Sequence, residues 1–400
     1  MEPLPLVEFA KSLFADLSLQ NIRIISAQHL LGTTHTMFHS LFELGLKPKN
    51  VSVIGKCYSS SPVVAKRMQD EGIFVSPFSF SFDGHKAFDN QYRVKVKLYL
   101  RDILRHTRFS DFEKVIFLDD GGYLLAAAQD LLVDTKNVIG IEQTTSGYEK
   151  LKGKELRFPI INVARSPAKL ICESPLIAEV IAKKICYKMR QFDFNPHTVL
   201  IIGKGVIGTA IYNSLKDQFH VEMVDMEIKS EPKAMVSFEK NLKKFDVIIG
   251  CTGQCSFHPR QHKLLKKGAV LVSASSSDRE FQAVSCRKQL PRTSDCHADI
   301  EIGHLRLLNG GFPLNFDGKI HSVPPHSIQL TRALLTAAIL QAYDLSNDAV
   351  EDSSRFINLD PEVQRDLVRE FQRIHPGPKS APKPPKQLVL NLTPLKVKKC

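Results

Sequence analysis

The sequence has no apolar run approaching the ~20 residues that a membrane-crossing helix needs, so no helical span is expected. Its first residues, Met1-Glu2-Pro3-Leu4-Pro5, have neither the basic start nor the apolar core of a secretion signal. Eight cysteines in 400 residues are too few for a disulfide scaffold. Cys57, Cys172, Cys186 and Cys251 lie in or beside apolar segments and read as small buried hydrophobes in a reducing, cytoplasmic compartment. Cys251-x-x-x-Cys255 and Cys286 with Cys296-His297 lack zinc-site spacing, so no metal is expected. No nucleic-acid module is recognisable, although the net charge is +12. Half of that charge comes from Lys379, Lys383, Lys386, Lys396, Lys398 and Lys399, in an acid-free Lys/Pro tail. Such a tail reads as a solvated, disordered end that is free to contact a partner.

What remains is an ordinary globular composition, 43% hydrophobic and 24% charged, with length for two or three domains. Its organising stretch runs from His197 to Ala210. A buried strand leads into Gly203-Lys204-Gly205-Val206-Ile207-Gly208, and a helix follows at 209–218. Dinucleotide sites need this order. The first glycine makes a tight turn, the second lets the backbone approach a pyrophosphate, and the third lets helix and strand pack closely. A second strand at 220–224 ends at Asp225, where an acid can hold ribose hydroxyls and favour NAD over NADP. A third, 246–250, ends at Cys251-Thr252-Gly253. The bland alternative is a structural turn with no nucleotide.

Upstream, strands at 23–27, 51–55, 73–75, 115–118, 138–141 and 159–164 alternate with helices at 33–44, 62–71, 94–105 and 174–191. That alternation predicts a parallel, doubly wound sheet. A helix is also expected at 8–19, and a further strand at 270–273 ends in Ser275-Ser276-Ser277. Helices at 328–343 and 360–374 close the globular part, and 388–392 reads as a short docking strand. Polar strand ends recur at Asp119-Asp120-Gly121-Gly122 and at Glu142-Gln143-Thr144-Thr145-Ser146-Gly147, where sheets of this kind bind ligands. By themselves the two acids also suit a helix N-cap and a turn.

Together these strand ends resemble those of the adenosylhomocysteinase family over roughly residues 20–345. The family's Asp-Asp-Gly-Gly-Asp matches Asp119 to Tyr123. Its Glu-Glu-Thr-Thr-Thr-Gly matches Glu142 to Gly147, and its Asn-Val-x-x-Ser-x-x-Lys matches Asn162 to Lys169. Its glycine loop matches Gly203 to Gly208, and its Thr-Thr-Gly and Val-Asn segments match Cys251 to Gly253 and Leu314-Asn315.

The resemblance implies an α/β protein with two doubly wound parallel sheets. The second is a Rossmann NAD-binding domain, and a C-terminal helix returns to the first. The expected division is 1–190 plus about 323–375 for the substrate-type domain, 191–322 for the NAD domain and 376–400 for the tail. It further implies a redox-assisted hydrolase of one-carbon metabolism. There, tightly held NAD oxidises a ribose carbon so that a thioether can leave, and afterwards returns the hydride.

By the same correspondence, Asp120, Lys169 and His29 are catalytic, and Gln143 and Glu173 face the substrate. Gly203, Gly205, Val206, Ile207, Gly208, Asp225, Thr144, Thr145, Ser146, Thr252, Gly253 and Asn315 hold the cofactor. Taken alone, Lys169 reads as a surface lysine at a helix start and His29 as a strand-end hydrogen bonder.

The departures fall mostly on the substrate side. Leu31-Gly32-Thr33 replaces the adenine-reading Thr-x-Glu, Gln143 replaces a glutamate, Glu173-Ser174 an Asp-Asn pair, and Ser275-Ser276 a Gly-His. His321 and His326 are candidates for a further family histidine, and the C-terminal Lys and Tyr that reach into a neighbouring copy have no counterpart. Three readings stay open: an enzyme on an altered nucleoside-like substrate, a non-catalytic NAD-binding regulatory protein, and a hydroxy-acid dehydrogenase. Homo-oligomerisation is compatible with all three.

Overall fold

A computed structural model describes residues 2–14, 17–227, 232–345 and 356–375, without the side chains of 170–174, 232 and 234. The tail and its expected docking strand lie outside the described residues. Strands β1 (Ile22–Ala27), β2 (Val51–Ile54), β3 (Phe74–Val75), β4 (Lys114–Asp119), β5 (Val138–Glu142) and β6 (Ile160–Asn162) build the first sheet. Strands β7 (Thr198–Ile202), β8 (His220–Val224), β9 (Val247–Gly250), β10 (Val270–Ser273), β11 (Ile300–Ile302) and β12 (Leu305–Leu307) build the second. Strand β13 (Phe356–Asn358) returns to the first. The spatial orders are β13-β6-β5-β4-β1-β2-β3 and β11-β12-β10-β9-β7-β8.

All pairings are parallel except β11 with β12. Each sheet is covered on both sides, which is why its strands are apolar runs rather than alternations. Ile24 and Ile116 pack on one side of the first sheet, and Ile25 and Phe117 on the other. Ile201 and Ile249 divide in the same way from Leu200 and Ile248 in the second.

The helix Pro325–Asp344 packs into the first sheet's core, with Leu334, Leu335 and Ile339 fully buried against the side that carries Ile116 and Ile139. The expected return helix is therefore present.

Three helices start earlier than expected. The helices begin at Pro5, Pro167 and Pro325 rather than at 8, 174 and 328. Proline fits the first helical turn, where its missing N–H has no partner to lose. The first helix also ends at Ser12, short of the expected 19. The second sheet, parallel as expected from β8 to β12, ends in an antiparallel β11–β12 hairpin that turns at Gly303, whose φ is +60°.

Candidate functional site

In both sheets the strand order reverses once, and ligands of open α/β sheets bind at that reversal. In the second sheet the reversal lies between β7 and β9. Gly203 leaves β7 with φ +111°, a conformation that disfavours any side chain. A Cβ at Gly208 would overlap the carbonyl oxygen of Gly203, whereas one at Gly205 would meet nothing within 4 Å. The turn is therefore tight behind and open in front, where Gly205 and Val206 are exposed and open the helix Val206–Leu215. Ile207 is half-buried behind them.

Asp225 follows β8 and accepts the amide of Lys204 at 3.2 Å and that of Met226 at 2.7 Å. The expected acid thus lies against the glycine turn. Thr252 and Gly253 follow β9 as expected, but their amides are already engaged. Both donate to Glu280 Oε1 at 2.6 Å, and Thr252 Oγ1 donates to Oε2 at 2.9 Å. Asn315 lies at the end of β10, where the amide of Leu314 donates to Ser273 O at 3.0 Å, and its carbonyl accepts Lys184 Nζ at 2.9 Å.

In the first sheet the reversal lies between β1 and β4, and here the polar groups are buried. His29 follows β1, Lys56 follows β2 and Asp120 follows β4. His29 Nε2 is 3.2 Å from Asp120 Oδ2, while Lys56 forms an ion pair with Oδ1. Ser59 hydrogen-bonds the other ring nitrogen of His29. Burial lowers the pKa of His29 against the opposing pull of Asp120. Burial alone would raise that of Asp120, but Lys56 and then His29 hold it well below the carboxylate range. The site therefore combines a neutral imidazole with an ionised carboxylate.

Beside them, Asp119 and Glu142 are register partners on β4 and β5. Burial pushes both carboxyl pKa values up, and nearby acids raise them further: Asp120 acts on Asp119, and Asp119 on Glu142. Glu142 Oε1 accepts the Thr144 amide at 2.7 Å and the Thr144 hydroxyl at 2.8 Å. Thr144 in turn caps the helix Thr145–Leu151 by accepting the Gly147 amide at 3.0 Å; Thr145 is exposed and Ser146 half-buried.

Four polar atoms at these strand ends are buried without a hydrogen-bond partner: Gln28 Nε2, Asp119 Oδ1, Glu142 Oε2 and Gln143 Oε1. Unpaired buried polar groups are uncommon and, clustered at a switch point, mark a place where a ligand can bond.

The sequence expectation joined Asp120 to Lys169. The structure pairs Asp120 with Lys56 and starts the helix of Lys169 after β6, two strands away from β4. The side chain of Glu173 lies outside the described residues. His326 stacks on His375 with ring centroids 6.0 Å apart, whereas His321 belongs to the segment that covers the cluster. That segment, 312–321, crosses from the second sheet. Phe316 lies 4.6 Å from the His29 ring, Phe312 stacks on Tyr58 at 4.7 Å, and Ile320 O accepts the Gly32 amide at 2.9 Å.

Sequence reasoning missed Lys56, although a lysine just past an apolar strand and a glycine is the same kind of strand end as the others. It also missed the buried Arg332 on the return helix, which donates to Thr33 Oγ1 at 3.2 Å and Gln28 Oε1 at 3.3 Å. A separate cavity of about 730 Å³, bounded by Phe82, Lys86, Lys95 and Lys288, shares no residue with this cluster.

Among the described residues no helix is long and apolar enough to cross a membrane, and no group of three or more histidine, cysteine or acidic side chains could hold a metal ion. The fold and its two switch points define a two-sheet α/β protein of the dinucleotide-binding type. The chain belongs to the same family as the uncharacterized proteins MT0113 and Rv0104 of Mycobacterium tuberculosis. It is 41% identical to each over 363 residues, 90% of this chain and 71% of theirs. It is more distantly similar to adenosylhomocysteinase of Sulfolobus acidocaldarius, 23% identical over 319 residues, covering 76% of this chain and 72% of that one. No family profile matches the chain. Among solved structures it is similar to a dipicolinate synthase chain of Bacillus halodurans, with a TM-score of 0.43 and 10% identity, covering 82% of this chain and 99% of that one.

Proposed function

We propose that this chain binds NAD at the turn 203–208 and, as a divergent member of the adenosylhomocysteinase family, acts on a nucleoside-like substrate at the end of the first sheet. The observation that carries the reading is the open face of Gly205 above the helix Val206–Leu215, with Asp225 beside it. A pyrophosphate against that helix start would meet free amides and the positive end of the helix dipole. Bound NAD supplies a hydride acceptor for a sugar hydroxyl carbon.

The chain's own residues would do the rest. Asp120 stays ionised under Lys56, and neutral His29 between Asp120 and Ser59 can accept or return a proton. Lys169 is kept as a second proton carrier on the strength of the family motif. The unpartnered atoms of Gln28 and Gln143 would bond the substrate.

The substrate is a thioether nucleoside such as S-adenosylhomocysteine, bound at a site that diverges from the family's. The adenine-reading and ribose-gripping acids are replaced, and each lost buried hydrogen bond costs about 1–3 kcal/mol. The same reading divides the chain near 190 and 323.

One observation favours the non-catalytic alternative: the Asp120 carboxylate already has two partners within the protein. Calorimetry on cofactor-stripped protein tests the shared part; uptake of NAD⁺ is expected, and no uptake of NAD⁺ or NADH overturns it. Mass spectrometry of retained small molecules and an assay for homocysteine release, repeated with Lys169→Ala, then separate enzyme from binder.

A further inference from the structure

The cavity of about 730 Å³ lies on the seam between the half built on the first sheet and the half built on the second. One wall is the loop before the helix Phe88–His106 together with that helix's first two turns; the other is Val284 and Lys288, on and just after the helix Ala283–Arg287. The seam is closed beneath by the Gly84 amide, which donates to Thr293 O at 3.0 Å. Three ammonium groups, of Lys86, Lys95 and Lys288, and one carboxylate, of Asp83, line the space. The carboxylate is already engaged. It accepts Arg292 Nε at 2.9 Å and the His85 amide at 3.1 Å, and it pairs with Lys86 at 3.5 Å. The other two lysines have no such counter-charge. Lys95 is half-buried and donates to the carbonyl of Ser81, Lys288 is exposed on the opposite wall, and neither is in an ion pair among the described residues.

We propose that this cavity binds a small organic anion with two or more negative charges, a phosphate ester or a polycarboxylate, held between Lys95 of the first half and Lys288 of the second. The anion supplies the counter-charge that the walls lack. Burial lowers the pKa of Lys95, a cost that a bound anion offsets. The helix Phe88–His106 starts without a side-chain cap and turns Asn90, Gln91 and Val94 to the cavity. Asp278 takes the Phe88 amide at 3.3 Å, and the positive end of the helix dipole otherwise adds to the field of the lysines. Phe82, Val94 and Val284 offer apolar wall to the carbon part of the ligand. The volume falls within the roughly 300–1,000 Å³ of small-molecule sites. A ligand that touches both walls ties the halves together without using any residue of the turn 203–208 or of the strand ends around Asp120.

The inference does not depend on NAD binding. Its test is calorimetric titration of the full-length chain, at fixed ionic strength, with inorganic tripolyphosphate and with benzene-1,3,5-tricarboxylate. The expected result is saturable uptake of one molecule per chain; uptake of tripolyphosphate alone assigns the phosphate class, and uptake of the tricarboxylate alone the carboxylate class. Lys95→Met and Lys288→Met should each weaken that uptake at least tenfold. Lys288 is exposed, so its variant keeps the test if Lys95→Met does not fold. Lys263→Met, at an exposed lysine away from the cavity, and Gly205→Ala, at the glycine turn, should leave the uptake unchanged. No uptake of either anion, uptake that survives both cavity substitutions, or equal weakening by Lys263→Met overturns the proposal. Loss in Gly205→Ala also overturns it, by placing the anion at the turn 203–208 instead.

Discussion

The ammonium group of Lys56 pairs with the carboxylate of Asp120 across the end of β1, the strand that separates theirs, and both side chains are 4% exposed. Burial would lower the pKa of Lys56, yet Asp120 reverses this and raises it. The pair sits under His29, so three neighbouring strands contribute one charged or titratable group each to a single buried cluster.

Removing one half of this pair leaves an uncompensated charge in the interior. Lys56→Met and Asp120→Leu should each lower unfolding stability by about 3–5 kcal/mol, and the double variant by less than either. Urea unfolding monitored by circular dichroism measures all three. A single substitution tolerated within about 1 kcal/mol would contradict the pairing.

The last two glycines of the turn separate folding from ligand binding. Gly208→Ala places a methyl group on the Gly203 carbonyl and should lower the melting temperature. Gly205→Ala has open space and should leave the melting temperature unchanged, yet weaken NAD binding at least tenfold by crowding the pyrophosphate. Thermal melts and calorimetric titration on the same samples check both outcomes.

Glu142 gives a pH signature. Burial raises its folded pKa well above 4.5, so the folded state keeps a proton that the unfolded state gives up. Wild-type stability from this group is whole below pH 4.5 and declines as pH rises toward the folded value. Glu142→Gln keeps an acceptor for the Thr144 amide and removes that decline. The variant should be the more stable above pH 4.5, by about 1.4 kcal/mol for each tenfold displacement of the ionisation, and the advantage should vanish in acid. Denaturant midpoints between pH 4 and pH 8 test the slope.

Arg287 joins the two halves by a different route. Its guanidinium pairs with Asp278 and donates to Gly84 O at 2.8 Å and Gly310 O at 2.6 Å, at 1% exposure. A lysine cannot make this fork. Arg287→Lys should therefore speed amide hydrogen exchange around Gly84 and Phe88 while leaving the β7–β9 amides protected. Unchanged exchange at 84–88 would show that the strap is not structural.

Much of the fold was legible because each sheet is buried on both sides. Covered parallel strands are continuous apolar runs, and these stand out in the chain together with the glycine turn. The hairpin β11–β12 and strand β13 were not legible. Each strand is three residues long, and Phe356–Asn358 is specified by pairing with Ile160–Asn162, far away in sequence. The starts at Pro5, Pro167 and Pro325 lie ahead of the expected ones because proline marks a boundary as readily as a first helical turn. At the site, the polar strand ends at Asp119–Asp120 and Glu142–Gly147 stand out in the sequence because each follows a buried apolar run. The partners of those residues, Lys56 on Asp120 and Glu280 on the Thr252 and Gly253 amides, depend on strand order in space, which no local pattern encodes.

The return of Pro325–Asp344 to the first sheet sets an order of assembly. Leu6 donates its amide to Gln329 Oε1 at 3.0 Å, and β13 completes the edge beside β6. The first core is therefore complete only once residues that follow the second sheet have come back to it, while strands β7 to β12, uninterrupted in sequence, can close without that return.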